Sequence, residues 1–155
     1  HHRSSAASDV YKRQALPLFG TIHSIDSLEL AQQVDRIAGE DGHRPSVYLE
    51  VNLAGEGSKH GFTKEALKRD LESMLGLDRI QIEGLMIIPP FSSEPEETRP
   101  FFAELVGFQA ELEREFGISL PELSMGMSHD YAVAIEEGAT IVRVGSAIFG
   151  PRGGA

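Results

Sequence analysis

Five short apolar runs, near residues 21–25, 47–52, 80–88, 123–126 and 140–149, alternate along this chain with four stretches that carry helical periodicity. A strand followed by a helix and then by another strand must cross back over the sheet, so this alternation dictates parallel strands joined by right-handed crossovers. The expected fold is α/β, five parallel strands alternating with four helices. At 155 residues the chain accommodates one domain.

The runs can be read in order. Thr21 to Ile25 is rich in β-branched residues, and Asp26 with Glu29 resembles a capping box that opens a helix bearing Leu28, Ala31, Val34 and Ala38. Gly39 to Pro45 reads as a polar connection. Val47 to Val51 is the next strand and ends in Asn52, a polar residue at a strand's carboxyl end. The loop from Leu53 to Gly61, with Glu56 and Lys59, is either an ordered functional loop or a turn-rich connector. Thr63 caps a helix through Leu75, with Leu67, Leu71 and Met74 facing inward. Ile80 to Ile88 is the longest apolar strand; Gly84 inside it signals a close backbone approach, and Pro89 and Pro90 end it. The acidic, proline-containing stretch from Phe91 to Arg99 reads as an exposed connector. A helix over 98–116 then carries Phe101, Leu105, Phe108, Leu112 and Phe116 at spacings of three and four, and Gly117 closes it. His23, on the first strand, reads as a core histidine or as a ligand.

Chemistry concentrates between Leu123 and Gly150. Leu123 to Gly126 leads into Met127-Ser128-His129-Asp130 and then into a helix from Tyr131 to Glu137, stopped by Gly138. Ser128 stands where an N-cap hydroxyl belongs, which would leave helix N–H groups facing an anion just past the strand. Thr140 to Val144 leads into Gly145-Ser146, where backbone can approach a ligand closely. Two consecutive strand-to-loop turns with small and hydroxylic residues match the phosphate site that (β/α)8 barrels build after their last two strands. Arg143 adds a positive charge on the last strand. Taken singly, Ser128 can be a cap and Arg143 a paired structural charge; taken together, the two turns favour a ligand.

The segments GMSHD and IVRVGSAIFG resemble the C-terminal signature of the pyridoxal-phosphate homeostasis family, one-domain barrels similar to the N-terminal domain of alanine racemase. Val51-Asn52 with Glu56, Lys59 and Gly61, and the run from Gly84 to Pro89, agree with that pattern, which spans about Thr21 to Gly150. A complete eight-stranded barrel takes about 250 residues. The resemblance therefore implies an incomplete TIM-type barrel, with residues 15–155 its C-terminal portion; residues 1–14, which begin with a His pair and show neither helical nor strand periodicity, read as a non-native or disordered leader. The resemblance also implies pyridoxal 5'-phosphate as cofactor. Ser128, Gly145 and Ser146 would hold the phosphate, Arg143 would face the pyridine nitrogen, and Met127, Asn52 and Met86 would complete the cofactor site. The Schiff-base lysine of the family belongs to a first strand not found here, since Lys12, Lys59, Lys64 and Lys68 lie on no expected strand. Ser146 stands where relatives often carry threonine. The implied function is cofactor binding and homeostasis without defined catalysis; a racemase-type isomerase on the same barrel, and a fragment without function, are the alternatives.

Composition narrows the classes further. A formal charge of −10 disfavours nucleic-acid and anionic-membrane partners. The absence of cysteine removes disulfide and thiolate chemistry and suits a cytoplasmic setting. No apolar run reaches the roughly 20 residues that span a bilayer. The chain shows no GxGxxG turn, Walker loop or metal-spaced cluster. The expected partner is a small molecule, with a monomer for the full-length protein and association possible for a shortened one.

Overall fold

The computed structural model describes residues 21–55 and 60–144. The leader at residues 1–14, Glu56, Lys59, Gly145 and Ser146 lie outside the described residues, as does the end of the last expected strand.

Five parallel strands run in sequence order across one sheet: β1 (Thr21–Ile25), β2 (Ser46–Glu50), β3 (Gln81–Met86), β4 (Glu122–Met127) and β5 (Ile141–Arg143). Among the described residues four helices connect them: α1 (Leu28–Asp41), α2 (Lys64–Leu75), α3 (Arg99–Phe116) and α4 (Tyr131–Glu137). A short 3-10 turn, Pro95–Glu97, precedes α3. Strand order equal to chain order is the singly wound arrangement of a barrel wall, in which every crossover helix lies on the same side.

Alternation along the strands separates two faces. Val47 and Leu49 of β2, Leu85 of β3, and Leu123 and Met125 of β4 join one apolar cluster with Ala31, Val34 and Ile37 of α1, Leu67 and Leu71 of α2, and Phe102 and Leu105 of α3. Burying side chains of this size stabilises a fold by roughly 1.5–3 kcal/mol each before ordering costs are subtracted. The opposite face of the sheet carries Tyr48, Glu50, Met86, Ser124 and Arg143, buried or half-buried but outside that cluster.

Several local expectations shift by one or two residues. The cap of α1 is Ser27, whose hydroxyl accepts from Leu30 N at 3.1 Å, one residue beyond the expected Asp26. Helix α1 runs on through Gly39 and Glu40 to Asp41. Thr63 caps α2 as expected, accepting from Ala66 N at 3.0 Å. On α3 the innermost aromatic is Phe102, with Phe101 and Phe116 only partly buried against the cluster, because the inward stripe starts one position later. The stretch before α3 is more than a connector: Thr98 is buried, and its hydroxyl donates to the Pro95 carbonyl at 2.7 Å.

Gly84 decides how close β3 and β4 can lie. A Cβ on it would sit 1.8 Å from the carbonyl oxygen of Glu122, its register partner. No side chain fits there, as the close-approach expectation required.

Candidate functional site at the carboxyl ends of the strands

The carboxyl ends of β2 to β5 bring a set of polar groups to the face turned away from the helices. Register places Glu50 beside Met86 and Met86 beside Ser124. Arg143 then reaches across from β5. Its Nη1 donates to Ser124 Oγ at 2.7 Å, and its Nη2 donates to the Ile87 carbonyl at 3.0 Å, so one guanidinium spans β4 and ends over the exit of β3. Both acceptors are neutral, and Arg143 forms no ion pair among the described residues. Burial lowers its pKa from the free value, while Glu50 and then Asp130 act in the opposite sense. An arginine keeps its proton under such a shift, and its positive charge stays available.

A bulge sets what stands next to that charge. Ser124 pairs with Ile141, yet Arg143 pairs with Met127, so β4 contains one residue more than β5 over this span. Bulges turn a side chain towards a new direction. Gly126 takes a φ of 104° there, and a Cβ on it would come 2.7 Å from the Ala134 Cβ, so α4 packs directly on the bulge. The sequence showed a glycine between two methionines but carried no sign of the register change.

The turn after β4 corrects one reading. The N-cap position of α4 belongs to Asp130, and Ser128 does not cap the helix. Asp130 is buried and faces backwards instead: its Oδ1 accepts from Met127 N at 2.7 Å, while its own N–H donates to the Met127 carbonyl at 3.2 Å. This reciprocal pair closes the turn at Met127 to Asp130, so the chain needs no hydroxyl cap at 128. Ser128 is left half-buried with no hydrogen-bond partner among the described residues. The seven-residue α4 is also a weak dipole, so donors at the turn, more than the helix end, would hold an anion. The sequence signal for Asp130 is an acidic residue directly before a helix, and the nearby Ser128 hydroxyl masks it.

Asn52 follows β2 at the expected end, but its Oδ1 accepts from Ala54 N at 3.0 Å, which folds its own loop. The backbone beside it is tied into the sheet by Phe62 N to Glu50 O at 2.7 Å and Asn52 N to Phe62 O at 2.8 Å. Near Met127 an apolar hollow of about 210 Å³ is lined by Ile88, Pro89, Phe91, Met127, His129 and Asp130, with the Phe91 and His129 rings 5.1 Å apart. Arg143, Met127, Ser128 and Met86 are thus brought to one end of the sheet, and Asn52 lies on the adjacent loop.

The sequence profile of the family described as alanine racemase, N-terminal domain, matches residues 10–153. The chain belongs to that family. It is 47% identical over 131 residues to the pyridoxal phosphate homeostasis protein of Aquifex aeolicus, covering 84% of this chain and 58% of that one. With the Synechocystis protein of the same name it shares 40% over 140 residues, 90% of this chain and 64% of that one. The chain therefore spans about three fifths of these relatives. Among solved structures, PipY of Synechococcus elongatus with pyridoxal phosphate bound superposes with a TM-score of 0.84 at 41% identity, covering 92% of this chain and 66% of that one. Alanine racemase of Clostridium difficile shares the fold, with a TM-score of 0.68 at 20% identity over 88% of this chain and 37% of that one.

The residues described are compatible with pyridoxal phosphate. A cation anchored by two neutral acceptors retains three further N–H donors, and at the neighbouring turn stands the Ser128 hydroxyl, which has no hydrogen-bond partner among the described residues. No described helix is long and apolar enough to cross a membrane.

Proposed function

We propose that this chain supplies the strand-end half of a pyridoxal 5'-phosphate site, and that the protein to which it belongs binds and buffers that cofactor inside the cell without catalytic turnover of its own. The observation that carries the reading is Arg143, half-buried and held across two strands on uncharged acceptors, near the turn where the Ser128 hydroxyl has no hydrogen-bond partner among the described residues. The names of its similar relatives, and the cofactor bound in PipY, support it.

In this reading Ser128, Gly145 and Ser146 bind the phosphate, Arg143 meets the pyridine nitrogen, and Met86, Met127 and Asn52 border the ring and its loop. When bound, the cofactor supplies an aldehyde that takes up primary amines and a ring that withdraws electrons. Arg143 tempers the second property. A guanidinium donates hydrogen bonds and yields no proton at neutral pH, so the ring nitrogen it meets stays unprotonated and the ring is a weaker electron sink. Custody of the cofactor follows more naturally from that electronic setting than broad carbanion chemistry does.

The test is visible circular dichroism during pyridoxal phosphate titration of the full chain, since free cofactor is achiral and silent. Arg143→Ala and Ser128→Ala should each weaken binding by about tenfold, the order expected when a charged or buried hydrogen-bond donor is lost. Unchanged affinity in both variants would remove the site assignment. Exchange of an amino-acid α-proton into heavy water at enzymatic rates would instead establish a racemase-type activity.

A further inference from the structure

We infer that Ser124 and the Ile87 carbonyl are the positioning elements of the site: together they lock the plane of the Arg143 guanidinium so that its remaining donors face the ring nitrogen of the ligand. The inference rests on the cofactor reading above.

An arginine on β5 can reach across β4 to the end of β3. Its long side chain has several rotatable bonds and loses considerable freedom when it is ordered. One hydrogen bond would restrain its end to an arc; two, from different terminal nitrogens to acceptors on different strands, define a plane. Nη1 engages Ser124 Oγ on β4, and Nη2 engages the Ile87 carbonyl just beyond β3, so the plane is fixed relative to the sheet itself. Ser124 is fully buried, with 0% exposure, and Ile87 is likewise buried, so neither anchor can drift with solvent. The Ile87 N–H in turn donates to the Ser124 carbonyl at 3.1 Å, which couples the two anchors through the backbone.

The chemical kind of the anchors matters as much as their number. A carboxylate in the place of Ser124 would hold the guanidinium as firmly, but it would cancel the charge that an aromatic nitrogen's lone pair is drawn to. A hydroxyl and a carbonyl orient the cation and leave it charged. After each terminal nitrogen has used one N–H, each retains a second, and Nε–H is also unspent. Ser124 does not touch the ligand in this arrangement; it acts through Arg143.

Two measurements on the full chain test this. The first uses two ligands, pyridoxal phosphate and its analogue with carbon in place of the ring nitrogen. Ser124→Ala removes one oxygen and should fold normally by far-ultraviolet dichroism. It should weaken pyridoxal phosphate about tenfold and leave the analogue's affinity unchanged, and Ser124→Thr should restore cofactor binding by returning the hydroxyl. Equal losses for both ligands would reduce Ser124 to a packing role and overturn the inference. The second needs no ligand: the native chain should show separate Nη1 and Nη2 resonances for Arg143, and these should coalesce in Ser124→Ala. If the native chain binds neither compound, the proposed function falls, and the resonances alone decide. Coalescence then sustains the positioning role, and identical spectra refute it.

Discussion

At the scale of single residues, Glu50 shows how the inner face of the sheet titrates. It is 8% exposed, and burial first, then Asp26, pushes its carboxyl above the usual range, while His60 and Arg143 pull it down. A carboxyl that binds its proton more tightly when folded than when unfolded favours folding in acid, and the advantage is lost as pH rises through the folded value. Glu50 is therefore destabilising where it is ionised, at neutral pH, and ceases to be so where it is protonated, in acid. Glu50→Gln should raise the thermal midpoint at pH 8 and change it much less at pH 4. A lower midpoint at pH 8 would mean that Arg143 holds the ionised form after all. None of this was visible from a glutamate in an apolar run, because burial and the approach of Arg143 are facts of tertiary contact. Asn52, by contrast, was legible as a strand-end polar residue, but its use within its own turn was not.

At the scale of elements, the helices were the most legible part. Helix periodicity and cap residues are local, so α2 was bounded at Thr63 and Leu75 and α3 at Phe116 and Gly117 without tertiary information. The inward face of α3 lies one residue later than its periodicity alone predicts. An i, i+3, i+4 stripe beginning at Phe101 and one beginning at Phe102 share Leu105, Phe108 and Leu112, and only packing against the sheet separates them. Strand pairing shows the opposite balance. Gly84 announced a close approach, but its partner Glu122 could be named only from the register. Gly84→Ala must part β3 from β4 or bend one of them, since the added carbon meets backbone oxygen and no rotamer can relieve it. Chemical denaturation should show a loss of about 3 kcal/mol or more, the upper range for overpacking. A loss below about 1 kcal/mol would show that the two strands yield easily.

Across the whole molecule, charge is the quantity to follow. A chain with a formal charge of −10 repels itself, and fixed cations relieve that locally. Arg99 collects three carboxylates: Nε and Nη2 engage Glu96 at 2.7 and 2.9 Å, Nη1 reaches Glu137 at 2.7 Å, and Nη2 reaches Glu136 at 3.1 Å. These contacts raise its pKa above the free value, the hydrogen bond to Glu96 first. They also tie the start of α3 to the end of α4, the helix that packs on the Gly126 bulge. Arg99→Met should lower the thermal midpoint at low ionic strength, and the deficit should shrink in 0.5 M salt, because salt screens both the lost attraction and the repulsion it leaves behind. A deficit independent of salt would assign Arg99 a packing role.

The sequence by itself determined the parallel alternation of strands and helices, the resemblance to cofactor-binding barrels, and the membership of Ser128, Arg143 and Met127 in one region, since each depends on periodicity, turn chemistry or local motif. Only the tertiary structure decided that Asp130, and not Ser128, organises the turn, that a bulge sets Met127 beside Arg143, and that Arg143 spans two neighbouring strands. These depend on register and on which backbone groups already have partners. Both are settled between segments far apart in the chain: residues 87, 124 and 143 meet because β3, β4 and β5 are neighbours, and no local pattern records that meeting.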